Sequence, residues 1–210
     1  MKAFLLLLGA SIGILITIAI FAFFYFEEGK SHPFFIEGGW IEQVTVLLFC
    51  TSSLIAGFVF LKTKFYNSFL LSAFMAMAAM RELDWHKTWT SDSILKSRFY
   101  LSDATPITEK IIGAAVIIFL AYLVVKLLMR TKNWLYGLKN GSLSALTLFF
   151  ALGSLVSAKF LDSFSRLLPS LAEFKSKNTV VFTGIEETTE MISAGFFVML
   201  AVLLWRNYKT

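Results

Sequence analysis

Residues 111–129 read IIGAAVIIFLAYLVVKLLM, a stretch of nineteen residues in which Lys126 is the single charged side chain. An α-helix needs about 20 consecutive apolar residues to cross the hydrocarbon core of a bilayer. The stretch is apolar on all sides and lacks the polar face that a surface helix of a soluble protein carries. It therefore predicts a transmembrane helix.

Similar stretches recur along the 210-residue chain, of which 57% is hydrophobic and only 16% is charged. This composition is more apolar than that of soluble domains and excludes a soluble enzyme. A transmembrane β-barrel would instead show alternating segments of about ten residues, a pattern that the chain lacks. We predict an all-α, polytopic integral membrane protein whose single domain, residues 1–210, is a bundle of six transmembrane helices. The spans are expected at about 3–26, 41–61, 68–85, 111–129, 143–163 and 180–205.

The positions of the charged residues predict how this bundle is oriented. Lys and Arg accumulate on the cytoplasmic side of membrane proteins. With the N-terminus inside, the cytoplasmic segments carry nine basic residues and no acid, and the opposite side carries the other ten basic residues and all fourteen acids. We therefore predict an N-in/C-in protein of the bacterial cytoplasmic (inner) membrane. The nine residues are Lys2, Lys62, Lys64, Lys126, Arg130, Lys132, Lys139, Arg206 and Lys209.

The remaining surface features indicate which partners to expect. The basic residues flank apolar stretches and form no stripe of their own, which argues for membrane lipids and against nucleic acid as partners. Segments 86–110 and 164–178 mix apolar with basic residues and are expected to lie as short amphipathic segments on the outer surface. The GxxxG spacing of Gly9 and Gly13 is typical of close helix packing and indicates a face through which two copies could dimerise.

The acidic residues gather at the outer ends of several predicted spans. Glu190 is the extreme case, because it lies about ten residues into the sixth span and hence ~15 Å from the start of that helix. A charged carboxylate at this depth costs about 2.5–3.5 kcal/mol on insertion scales, so such residues face a cavity, a partner or an ion. The sequence thus predicts a polar site inside the outer half of the bundle.

The spacing of the ionisable residues suggests what this site could bind. Glu186 and Glu190 are four residues apart and share a helix face, and Glu82 and His86 have the same spacing on another helix. Carboxylates and an imidazole that project into a helical bundle suit zinc, iron or manganese. We therefore expect Glu82, His86, Glu186 and Glu190 to be metal ligands or catalytic groups, with Glu42 joining the metal site. Basic residues around them are expected to bind substrate: Arg81, Lys87, Lys96 and Arg98.

These residues favour a membrane-embedded enzyme that acts on a lipid or lipid-linked substrate at the outer leaflet. The reaction class would be metal-assisted hydrolysis or transfer, which would make the chain a metal-dependent intramembrane hydrolase or transferase. Three alternatives stay open at this point. The charged residues could form only structural salt bridges, such as Glu82 with Arg81. The Glu186/Glu190 layer could carry protons or cations in transport, or the chain could be a non-enzymatic subunit for membrane assembly and partner binding.

Overall fold

The structure is a computed structural model that describes residues 38–85, 96–167, 172–177 and 179–209, together with Thr90 and Ile94. All regular secondary structure in this part of the chain is helical, which confirms the all-α class for these residues. The helices are α1 (Trp40–Thr63), α2 (Tyr66–Glu82), α3 (Ser97–Leu101), α4 (Ile107–Leu128), α5 (Thr131–Lys139), α6 (Leu143–Leu167), α7 (Ala172–Lys177) and α8 (Thr179–Lys209).

Four helical segments are long and apolar enough to cross a membrane: Trp40–Thr63, Ile107–Lys139, Leu143–Ser163 and Val181–Asn207. They coincide with the second, fourth, fifth and sixth predicted spans, so the chain has the character of a membrane protein. The third predicted span corresponds to α2, which has 17 residues and is not among these four. The first predicted span, with Gly9 and Gly13, lies outside the described residues. The count of six spans and the N-in/C-in orientation stay predictions.

Helix α8 lies at the centre of the described bundle. It packs closely against α1 and α6, and α1 in turn packs against α2. Small residues such as Ala56, Ala151 and Ala201 are fully buried and let the helix backbones approach each other. Two hydroxyl groups join the helices: Ser52 Oγ donates to the Phe197 carbonyl at 3.0 Å, and Ser193 Oγ donates to the Ala151 carbonyl at 2.8 Å.

Helices α1 and α2 form an antiparallel hairpin that fixes which side chains meet at each end of the bundle. The turn between them contains Lys64 in the left-handed conformation, with φ of 56°, and its N–H donates to the Phe60 carbonyl at 2.7 Å. Midway along the hairpin, the hydroxyls of Ser53 and Ser72 each donate to the other residue's carbonyl at 2.9 Å. The last turn of α2, with Glu82, therefore lies beside the first turn of α1, with Glu42.

Helix α4 is more exposed, and Gly113 and Leu123 are its buried residues. The segment that precedes it packs onto α4 at Gly113 through the buried side chains of Ile94 and Phe99. Both predicted surface segments contain a short helix, α3 in one and α7 in the other. The segment that contains α3 thus packs against α4. This contact requires a glycine at position 113, because a larger residue would leave no room for the Phe99 ring.

We expect Gly113→Ala to lower the thermal stability of the protein. A β-carbon at Gly113 would lie 2.9 Å from Tyr100 Oη and 3.0 Å from Phe99 Cε1. Overpacking of this kind costs about 1–3 kcal/mol. The matched control is Gly153→Ala on α6, where nothing lies within 4 Å of the added carbon. Thermal unfolding of both variants in detergent checks the prediction, and a Gly113→Ala variant as stable as the control would contradict it.

Candidate functional site

A cavity of about 880 Å³ opens at the end of the bundle where α1 begins and α2 ends. Side chains from α1, α2, α6 and α8 line it, and five residues predicted for the site from sequence are among them. These five are Glu42, Arg81, Glu82, Glu186 and Glu190. The α1–α2 hairpin brings Glu42 to Glu82, and the packing of α8 against α1 adds Glu190, which is nearly 150 positions from Glu42 in sequence.

Glu190 is the centre of this site. Its side chain is only 3% exposed, and it is the one ionisable residue that is buried in the described part of the chain. Lys159 Nζ on α6 lies 2.6 Å from Glu190 Oε1, and Arg81 Nη2 on α2 lies 3.4 Å from the same oxygen. A buried charge requires such partners, because the low dielectric of a bundle interior makes an unpaired carboxylate very costly. Glu190 therefore ties three helices together at one oxygen atom.

The two cations also contact other carboxylates. Arg81 Nη2 also lies 3.3 Å from Glu82 Oε1, so one guanidinium forms ion pairs with Glu82 on α2 and Glu190 on α8. Lys159 Nζ lies 3.9 Å from Glu186 Oε1. The side chains of Arg81 and Lys159 are 44% and 39% exposed, whereas their acidic partners are largely buried. The cations thus form the accessible side of the network and the carboxylates its buried side.

The cavity carries more acid than base. Seven acidic side chains line it against the two cations: Glu42, Glu82, Asp84, Asp162, Glu186, Glu187 and Glu190. Among them Glu187 Oε2 is buried and has no hydrogen-bond partner among the described residues. An excess of carboxylates in a low-dielectric cleft attracts cations and protons. The arrangement can therefore exchange protons with a bound molecule, and its two cations can contact an anionic group on that molecule.

The other predicted site residues are placed differently. His86 and Lys87 lie outside the described residues. Lys96 and Arg98 are exposed near the start of α3, and neither lines the cavity. Their role in binding substrate stays a prediction.

The predicted metal site depends on residues that the structure only partly covers. Within the described ranges, no three Asp, Glu, His or Cys side chains are grouped as metal ligands. Oε1 of Glu190 is already in contact with Lys159 and Arg81. Glu187 Oε2 is a buried carboxylate oxygen without a hydrogen-bond partner among the described residues, and His86 is the nitrogen ligand that the sequence predicts. The metal site therefore stays a prediction.

Four charged residues of the cavity are absent from the predicted site: Asp84, Lys159, Asp162 and Glu187. A signal for Lys159 was present in the sequence, because a lysine within an apolar span normally has an acidic partner inside the bundle. No sequence signal separates Glu187 from its neighbour Glu186, since both lie in the same turn of α8. Their different surroundings arise from the rotation of α8 against α1 and α6.

A second cavity of about 340 Å³ lies between α6 and α8. Its lining is mostly apolar and includes Phe149, Leu161 and Ile185, with Thr189 directly before Glu190 in sequence. The same two helices therefore border a charged cavity and an apolar one. Such a pair suits a ligand that has both a polar and an apolar part.

Comparisons of the chain with protein-family models, with curated proteins and with solved structures gave no match. A function for this chain therefore has to follow from the chemistry of the site.

Proposed function

We propose that the chain is a membrane-embedded enzyme that hydrolyses or transfers a group of a lipid or lipid-linked substrate at the outer leaflet of a bacterial inner membrane. The observation that carries the proposal is the buried carboxylate of Glu190, which joins two half-exposed cations at the edge of a large cavity. A site of this kind combines groups that exchange protons with groups that stabilise negative charge, which are the two requirements of acyl or phosphoryl transfer.

Four charged residues of the cavity have a role in this mechanism. Glu82 and Glu190 share Arg81 and are the candidates for general acid and general base, because one carboxyl group can take a proton from the attacking oxygen while the other gives one to the leaving group. Arg81 and Lys159 face the cavity and stabilise the charge that develops on a phosphoryl or carbonyl oxygen. The apolar cavity between α6 and α8 supports a substrate with a hydrocarbon chain.

A divalent ion, zinc, iron or manganese, is the second part of the proposal. Glu187 and Glu42, which line the cavity, would hold it together with His86, the ligand predicted from sequence, and it would activate the attacking oxygen. The unpaired Glu187 oxygen supports this position. Elemental analysis of purified protein tests it: we expect about one equivalent of metal, lost in Glu187→Gln and in His86→Ala. If the metal is retained in both variants, the ion is bound elsewhere. If metal-free protein is active, the reaction uses acid–base catalysis without a metal.

The buried core below the cavity favours an enzyme over a transporter. Between Glu190 and the opposite end of α8, the buried residues of the described helices are apolar or carry a hydroxyl, with Phe197 and Met75 among the largest. A proton or cation path needs ionisable groups or water along its length. The described helices therefore support a site that opens on one side of the bundle.

The activity is tested with the full-length protein in vesicles of phosphatidylethanolamine and phosphatidylglycerol that contain a polyprenyl diphosphate. Mass spectrometry of the lipids over time is expected to show one of these components consumed and a hydrolysed or transferred product formed. Vesicles without protein are the control. Unchanged lipids, with the protein folded and its metal content measured, would contradict the lipid-enzyme proposal.

The predicted orientation has a direct test, because Cys50 is the only cysteine of the chain. In a Cys50→Ser background, new cysteines at Gly38 and Lys175 are expected to react with an impermeant maleimide in intact spheroplasts. Cysteines at Lys64 and Lys132 should react only after permeabilisation, since Lys and Arg mark the cytoplasmic side. If the cysteine at position 175 reacts only from the cytoplasmic side, the predicted position of the site at the outer leaflet is wrong.

A further inference from the structure

Two tyrosines and two cations form a cluster at the end of the bundle opposite the cavity, between the start of α2 and the end of α4. The hydroxyls of Tyr66 and Tyr122 lie 2.5 Å apart and are hydrogen-bonded. The Arg130 guanidinium lies 5.8 Å from the centre of the Tyr66 ring, and Lys126 Nζ lies 5.6 Å from the centre of the Tyr122 ring. These four residues are called the Tyr–Arg cluster, and the hydrogen bond between its tyrosines links α4 to α2.

The charged residues that the structure describes around the cluster are all basic. Five further cations lie at this end in the described helices and turns: Lys62, Lys64, Lys132, Lys139 and Arg206. No Asp or Glu of the described residues accompanies them, and the contacts of Lys126 and Arg130 are with aromatic rings. Helix α2 also begins here without a side-chain cap, so the positive end of its dipole adds to the field. Cations that stack on rings keep their N–H groups available for an anion.

We propose that the Tyr–Arg cluster binds the headgroup phosphate of an anionic phospholipid from the leaflet at this end of the bundle. A guanidinium donates two parallel hydrogen bonds to a phosphate, and an ammonium group contributes a further charge-assisted one. The tyrosine hydroxyls can donate to the same oxygens. Basic pockets between helices on the cytoplasmic side are a recurrent means of holding anionic headgroups.

The apolar surface beside the cluster fits the rest of such a lipid. Val125 and Leu128 on α4 are 53% and 65% exposed, and each lies within two residues of Lys126 in sequence. Helix α4 makes little contact with the described bundle apart from α2. Acyl chains can therefore lie along α4 while the headgroup reaches the cluster. The general preference of Lys and Arg for the cytoplasmic side explains the sign of the charge, but it does not explain why two cations stack on a hydrogen-bonded tyrosine pair.

Native mass spectrometry of the full-length protein from nanodiscs tests the proposal. We expect the wild type to retain phosphatidylglycerol at least about tenfold better than phosphatidylcholine. Lys126→Gln/Arg130→Gln should bind phosphatidylglycerol ~25-fold more weakly, because each cation near an anionic lipid contributes roughly a factor of five. The matched control, Lys132→Gln/Lys139→Gln, removes the same charge from exposed positions nearby and should keep the bound lipid.

Two results would overturn the proposal. Equal loss of lipid in both double variants would mean that the attraction is diffuse and that no site exists. No preference of the wild type for phosphatidylglycerol over phosphatidylcholine would have the same consequence, and this comparison does not depend on how well any variant folds. The proposal is independent of the enzyme function, since the cluster and the carboxylate cavity lie at opposite ends of the bundle.

Discussion

Lys159→Met is expected to lower the free energy of unfolding by about 3 kcal/mol, because it removes one of the two cationic partners of a buried carboxylate. The substitution leaves the Glu190 side chain, which is 3% exposed, with Arg81 at 3.4 Å as its remaining cationic partner. Arg81 is shared with Glu82 and cannot fully replace the lysine. Thermal unfolding in detergent, followed by circular dichroism, should show a midpoint lower by roughly 10 °C.

A matched control for Lys159→Met exists within the chain. Lys177 and Glu173 form an ion pair of 2.8 Å whose side chains are 72% and 80% exposed. An exposed pair of this kind contributes about 0–1 kcal/mol, so Lys177→Met should leave the midpoint nearly unchanged. The double variant Lys159→Met/Glu190→Gln should regain most of the loss, because it removes the unpaired charge as well. Equal midpoints for Lys159→Met and Lys177→Met would contradict the buried network.

Glu190→Gln is expected to reduce turnover of the lipid substrate by about 10²- to 10⁴-fold, which is the contribution of a general acid or base. Glutamine has nearly the same shape, and its amide oxygen can still accept a hydrogen bond from Lys159. It cannot exchange a proton at neutral pH. The rate of product formation in vesicles measures the effect, and the thermal midpoint of the same preparation shows whether the bundle is intact.

The control for Glu190→Gln is Glu173→Gln, which makes the same chemical change at an exposed position on α7. Its turnover should match that of the wild type. A folded Glu190→Gln protein with wild-type turnover would show that Glu190 is a structural ion-pair partner and not a catalytic residue.

The helices themselves could be predicted closely from the sequence. The predicted span 41–61 corresponds to helix α1, Trp40–Thr63, and the predicted span 111–129 ends one residue after α4. This accuracy has a simple cause: a backbone in hydrocarbon must satisfy its hydrogen bonds internally, so an apolar stretch of sufficient length becomes a helix whatever surrounds it. The depth of Glu190 follows from the same counting along α8.

The distances between Glu190 and its cationic partners could not be predicted, and only the tertiary structure decided them. Sequence spacing determines which side chains share a face of one helix, as for Glu186 and Glu190. It does not determine the rotation of α8 about its own axis or its height relative to α6 and α2. Packing of small residues and the interhelical hydrogen bonds of Ser52 and Ser193 set both quantities. That packing brings Lys159 to 2.6 Å from Glu190, because the energy of a buried charge depends on distances of a few ångströms between helices that are remote in sequence.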